Sequence, residues 1–195
     1  MNIRTFIKAD KAAFYRFIQT EPEGRYEYEW GRIVQQQQGG TRKRVHIGAN
    51  FDTVIVGQLN PAKWSVYEGR GVETAEAIRY PDVVVEPASE PDDSLATTTA
   101  ALVVDVLSPS FVDCDLYVKP AEYLGLASLE AYIVASQSEP SCKVWVRGTD
   151  REFADHPATV TGTAGVIDIP TLSLSIPMAE IYRGLFDNPA ADTKG

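Results

Sequence analysis

Cysteine and histidine are scarce in this chain of 195 residues: Cys114 and Cys142 are the two thiols, His46 and His156 the two imidazoles. A secreted domain stapled by disulfides needs more cysteine, and no Cys/His cluster stands at zinc-ligand spacing. Both classes are set aside, and the two thiols read as structural. Long apolar runs are missing too. None approaches the roughly 18 residues that span a bilayer. The opening stretch MNIRTFIKADKAAFYRF is broken by charges where a signal peptide would carry its apolar core, which points to a cytoplasmic protein without membrane contact. Positive charge is in deficit: 18 Lys plus Arg face 27 Asp plus Glu, a formal net charge of −9. Generic nucleic-acid coat proteins and basic membrane-surface proteins need the opposite balance.

The deficit is uneven. Residues 1–80 carry 12 Lys/Arg against 9 Asp/Glu, whereas residues 81–195 carry 6 against 18. An anion is more readily met by the first half and a metal ion by the second. What is present is ordinary for a globular domain with a real core, with 44% hydrophobic and 23% charged residues. No internal repeat and no linker rich in Gly, Pro or Ser divides the chain, so residues 1–195 are expected to form a single domain with its core at about 8–186.

Asp10 stands as an N-cap before Phe14, Phe17 and Ile18, which share one helical face. Arg25–Tyr28 and Arg32–Gln36 read as strands of a hairpin about Trp30-Gly31, ended by the glutamine run Gln35–Gln38. Between Lys43 and Leu59, Ile47, Phe51, Val54 and Ile55 form a helical stripe that Asn60-Pro61 stops, and Trp64–Tyr67 reads as a strand. After residue 78 the period changes. Val83-Val84-Val85 and Leu102–Leu107 are β-branched runs of the kind buried on both sheet faces, joined by a polar loop from Glu86 to Thr99. A helix at Pro120–Leu126, strands at Glu130–Ala135 and Cys142–Arg147, irregular strands near Thr159 and Leu172 and a terminal helix at Pro177–Phe186 complete an α/β (α+β) pattern.

The informative residues are charges where charges are expensive. Asp105 lies among Val103, Val104, Val106 and Leu107, and Asp82 opens the other apolar run behind Pro81. An unpaired buried carboxylate costs several kcal/mol or stays protonated, so Asp105 needs a cation or hydrogen-bond donors. If the two strands are neighbours, both carboxylates can enter one cleft and share a hard divalent cation, since Mg²⁺ is held by one or two carboxylates plus waters. Lys119 follows where the chain returns over that edge of the sheet, and its ammonium could stabilise charge on a phosphate or polarise a water. Plainer readings stand beside this one. Asp82 could cap a turn, Asp105 could accept N–H groups from the Ser108-Pro109-Ser110 turn, and Lys119 could be a surface ion-pair partner. Ser108 with His46 lacks the G-x-S-x-G surround of a nucleophile elbow, so a serine hydrolase is discarded. Trp64, Trp145 and Tyr132 read as core, and Gln137 as turn chemistry at a strand end.

The order PDVVVE (81–86), LVVDVLSPS (102–110), Asp115, Lys119 and Tyr123, then SLEAYIVASQ (128–137), closely resembles the Uma family of restriction endonucleases in the PD-(D/E)XK superfamily. YEYEWGRIV (26–34) is similar to that family's Glu-containing hairpin, and His46-Ile47 to its His at the start of the first long helix. The likeness runs from about residue 8 to residue 186. It implies a restriction-endonuclease-like core, a mixed central β-sheet flanked by helices, with a metal-dependent phosphodiesterase site. Carried over, Asp82 and Asp105 would bind Mg²⁺ or Mn²⁺, Lys119 would be the lysine moved from its usual strand position to the next helix, and Glu27 an additional acid near the metal. Arg42, Lys43, Arg44 and His46 are the nucleic-acid-binding candidates, three basic residues in a row being either phosphate contacts or a solvated face.

The first reading is therefore a Mg²⁺-dependent endonuclease that cleaves DNA, binds it weakly without metal and acts as a homodimer, because cutting both strands needs two sites. The alternative is a catalytically inactive member of the same fold, a nucleic-acid- or protein-interaction module whose carboxylates are structural. A subunit acting through oligomerisation alone is a third. Lys119 carries two departures from the local motif. Leu107 occupies the place two residues after Asp105, and Pro120 favours a lysine just ahead of, rather than within, a helix.

Overall fold

A computed structural model of the chain describes residues 6–21, 23–36, 40–107 and 114–186, with residues 114 and 115 as backbone alone. The Ser108-Pro109-Ser110 turn, Gln37 and Gln38 of the glutamine run, and the side chains of Cys114 and Asp115 lie outside the described residues. In chain order the first half runs β1 (Phe6–Lys8), α1 (Lys11–Thr20), β2 (Tyr26–Glu29), β3 (Arg32–Gln35), α2 (Arg42–Val56), β4 (Trp64–Glu68), β5 (Gly71–Glu73), β6 (Ala77–Arg79) and β7 (Val83–Pro87). The second runs β8 (Ala96–Thr97), β9 (Leu102–Val106), α3 (Lys119–Tyr123), β10 (Ala131–Ala135), β11 (Ser141–Val146), β12 (Ala158–Thr161), β13 (Val166–Ile169), β14 (Leu174–Pro177) and α4 (Met178–Ile181).

The strands form two six-stranded mixed sheets, in the orders β1-β3-β2-β6-β5-β8 and β12-β11-β10-β9-β7-β4, and a β13–β14 pair. Local chemistry explains the first of them. Asp10 accepts from the Ala13 N–H at 2.7 Å and so starts α1. The β2–β3 hairpin turns through Trp30 (φ 49°) and Gly31 (φ 80°), the two positive values a tight two-residue turn demands. Gly31 adopts its value freely, while Trp30 is held in a region that non-glycine residues seldom occupy.

The second sheet is the core. β7 and β9 are antiparallel neighbours, and β9 and β10 are parallel, with α3 in the connection between them. Alternation along the strands sends Val83, Val85, Leu102 and Val104 to the face covered by Ile47, Phe51 and Ile55 of α2. Val84, Val103, Tyr132 and Trp145 go to the other, where Tyr123 and Leu129 cover them. Every residue of β9 and β10 is buried, as the continuous apolar runs predict.

Several boundaries differ from the sequence expectation. β5 and β6 of the first sheet, and β8 inside the polar loop, are too short to show a period. α2 ends at Val56, before Asn60-Pro61, because Gly57 caps it. α3 stops at Tyr123, and Leu172 lies in a 3-10 turn rather than a strand. The terminal helix shrinks to Met178–Ile181, with Gly184 at φ 77° turning the chain soon after.

Candidate functional site

The chain crosses from the first sheet to the second through Tyr80-Pro81-Asp82, which puts Asp82 at the end of β7 beside β9. Its backbone N–H donates to Val104 O at 3.0 Å, and its carboxylate accepts from the Val106 N–H at 2.7 Å. Asp82 thus grips β9 on both sides of Asp105. α2 passes over it: a Cβ on Gly48 would stand 3.8 Å from the Asp82 Cβ. From that helix Arg44 forks onto Asp82, Nε to Oδ1 at 2.7 Å and Nη2 to Oδ2 at 3.0 Å. Burial raises the Asp82 carboxyl above its ordinary value, against the pull of Arg44, and the nearby Asp105 charge adds to the rise.

Asp105 is 1% exposed. It is satisfied by the two donors its burial requires: Lys119 Nζ at 2.7 Å from Oδ1 and the Tyr132 hydroxyl at 2.9 Å from Oδ2. Lys119 gets there because a π-helical turn, Cys114–Val118, runs into α3 and makes it the first residue of that helix, with Pro120 second, where no N–H is needed. Asp82, Asp105 and Lys119 therefore converge.

The remaining candidates separate. Glu27 is buried, but it serves Arg79: Arg79 Nη1 lies 3.0 Å from Glu27 Oε2, Gln36 Nε2 donates to the same oxygen at 2.8 Å, and the Tyr80 N–H to the other at 3.3 Å. Neither aspartate is among these partners. Arg44 sits on Asp82 instead of facing outward, while Arg42 and Lys43 are exposed at the start of α2, Lys43 lying over the Phe186 ring. His46 packs beside Gly184. Gln137 donates to Leu107 O and accepts from Thr41, the N-cap of α2, so it ties that helix start to the end of β9.

Sequence reasoning missed a buried ion cluster behind the site. Arg79, 1% exposed, forks onto Glu122 of α3 with Nε and Nη2 both at 2.8 Å and also meets Glu27 and Glu29. The signal was available, since an arginine in the short apolar run Ala77-Ile78-Arg79 is as costly as the Asp105 carboxylate. Tyr123, one residue on from Glu122, is fully buried between this cluster and Asp105. Its hydroxyl has no hydrogen-bond partner among the described residues, and burial with the surrounding carboxylates pushes its acidity far down.

Within this mixed α+β core an acid pair and a lysine thus meet where the antiparallel strands β7 and β9 lie side by side. Residues 12–177 match the model of the Uma2 family, described as "Putative restriction endonuclease", and the chain belongs to that family. Its fold is similar to that of the crystal structure of a "putative nuclease belonging to DUF820" from Anabaena variabilis, with a TM-score of 0.67 and 13% identity over 82% of this chain and 90% of that one. No curated protein matches the chain. Among the described residues no helix is long and apolar enough to cross a membrane.

A divalent cation suits the donor set. Asp82 and Asp105 offer hard carboxylate oxygens from neighbouring strands, and both already draw cationic side chains to themselves. Among the described residues no group of three or more His, Cys, Asp or Glu could hold a metal ion. Two protein carboxylates with water completing the shell is what Mg²⁺ or Mn²⁺ takes, and it is too little for a structural zinc.

Proposed function

We propose that this protein is a metal-dependent endonuclease that hydrolyses DNA phosphodiester bonds, acting as one domain over residues 1–195. The observation that carries the reading is the arrival of Lys119 at Asp105, beside Asp82, although Leu107 stands where the local motif would carry its lysine. Asp82 and Asp105 would hold Mg²⁺ or Mn²⁺. Such an ion, when bound, lowers the pKa of a water and withdraws charge from a phosphate oxygen. The chain's own part is to hold and aim. The Val106 N–H and the Tyr132 hydroxyl fix the two carboxylates, and the Lys119 ammonium donates to the charge that grows on phosphorus oxygens as water attacks. Arg42 and Lys43, exposed at the start of α2, serve as backbone contacts. On duplex DNA a homodimer supplies the two sites that cutting both strands needs. Glu27 acts through Arg79 and Glu122, behind Lys119.

A second reading, an inactive module of the same fold that binds nucleic acid or protein, is favoured by one observation. Each acid is already neutralised by a cation of the chain, Arg44 on Asp82 and Lys119 on Asp105. A plasmid-nicking assay with Mg²⁺ or Mn²⁺ separates the two. Cleavage by the parent that disappears in Asp82→Ala and Asp105→Ala supports the nuclease. Cleavage equal in all three proteins rules out this site, and none from a folded parent favours the module.

A further inference from the structure

Arg44 and Lys119 neutralise the two acids in the same way but from different surroundings. The Lys119 side chain is 11% exposed and Arg44 28%, and the Asp82 side chain beneath Arg44 is 17% exposed. The guanidinium therefore stands nearer to solvent than the ammonium does. Asp82 does not depend on Arg44 for its place. Its backbone N–H on Val104 O and its carboxylate on the Val106 N–H would still anchor it to β9. A planar fork that fits a carboxylate fits a phosphate equally well. Arg44 is the third residue of a helix whose first two, Arg42 and Lys43, are basic and exposed, so three cations stand together at the start of α2.

We infer that Arg44 is a displaceable counter-ion that couples cation binding at Asp82 to the binding of a DNA phosphate. The inference rests on the nuclease reading. A divalent cation and the guanidinium compete for Asp82, and a phosphate and Asp82 compete for the guanidinium. Either ligand thus frees the other's partner, and linkage makes the effect reciprocal. The consequence is a pair of opposite changes in one variant. Without Arg44 the cation should bind better on its own, because its competitor is gone, while DNA loses a contact and the part of its cation dependence that runs through Arg44.

The test uses the full chain, with Ca²⁺ as the probe because it takes carboxylate oxygens. Calorimetry of Ca²⁺ without DNA, and fluorescence anisotropy of a labelled duplex with and without Ca²⁺, are measured for the parent and Arg44→Ala. Arg44→Gln covers the case in which the alanine variant does not fold, and Asp82→Asn locates the ion. In the parent Ca²⁺ should tighten duplex binding by a factor within the usual range of couplings, about 5- to 150-fold. Arg44→Ala should bind Ca²⁺ several-fold more tightly than the parent, and the ion should tighten its duplex binding by a clearly smaller factor than it does in the parent. Ca²⁺ binding that Asp82→Asn abolishes but that is equal or weaker in both Arg44 variants overturns the counter-ion role and leaves the nuclease reading standing. Absence of any Ca²⁺ binding, with or without duplex, overturns both.

Discussion

Arg79 grips Glu122 through Nε and Nη2, both at 2.8 Å, so a strand of one sheet holds in place the helix whose first residue, Lys119, reaches Asp105 on the other. The site is thus positioned from behind by a second, largely buried set of charges.

Replacing Arg79 by Met should be severe, because Glu27, Glu29 and Glu122 would face one another with no shared cation. Breaking a buried ion pair from one side costs about 3–5 kcal/mol, which a urea unfolding curve would read directly. Arg79→Lys keeps the charge but not the fork and should fall between parent and Met. A loss below about 1 kcal/mol in Arg79→Met would mean that the cluster is not the clamp described.

Lys119→Met leaves the Asp105 carboxylate buried without its cation, and a stability loss of about 3–5 kcal/mol is expected. Adding Asp105→Asn to it removes the stranded charge and should restore most of that loss. Cleavage should return in neither protein. Restored activity in the double variant would separate the nuclease from these two residues.

Two tyrosines in contact should behave in opposite ways. The rings of Tyr123 and Tyr132 have centroids 5.0 Å apart, but only the Tyr132 hydroxyl has a carboxylate to bond. Tyr132→Phe leaves Asp105 short of a donor and should cost about 1–3 kcal/mol, whereas Tyr123→Phe removes a buried hydroxyl that has no partner among the described residues and should be neutral or stabilising. Thermal melts of the two variants, side by side, decide the matter.

Cys142 sets an alkaline limit. Burial pushes its thiol up to about 12 from an ordinary 9.0, with Tyr182 nearby. Since the folded state holds the proton where the unfolded state has lost it, the contribution is full below about pH 9 and is lost as pH rises toward 12. Melting temperature should fall across that window, and less steeply in Cys142→Ala. Equal slopes for the two proteins would remove Cys142 as a cause.

Much of this was legible in the amino-acid order. A lone acid in a β-branched strand announces a partner, which made Asp105 and Asp82 visible, and the Asp10 cap and the Ile47–Phe51–Ile55 stripe made α1 and α2 so. Lys119 was singled out by its place where the chain returns over the edge of the sheet and given its role by family likeness, but nothing local says that a π-helical turn will deliver it to Asp105. Arg44 looked like one of three equivalent cations, because the side-chain direction that singles it out depends on α2 crossing the end of β7. Arg79 stood in a strand of three residues whose period could not be read, so only the cost of burying its charge was legible there. Its carboxylates come from β2 and α3, a pairing that only the tertiary fold creates.

Asn50 of α2 donates to the Ile181 carbonyl across 131 positions of sequence. The helix that carries Arg44 is therefore translated long before the residue its Asn50 bonds. Until the ribosome has passed residue 181, α2 has no α4 to close against, and a nascent chain that already contains Asp82, Asp105 and Lys119 still lacks one of the contacts that hold the helix above them.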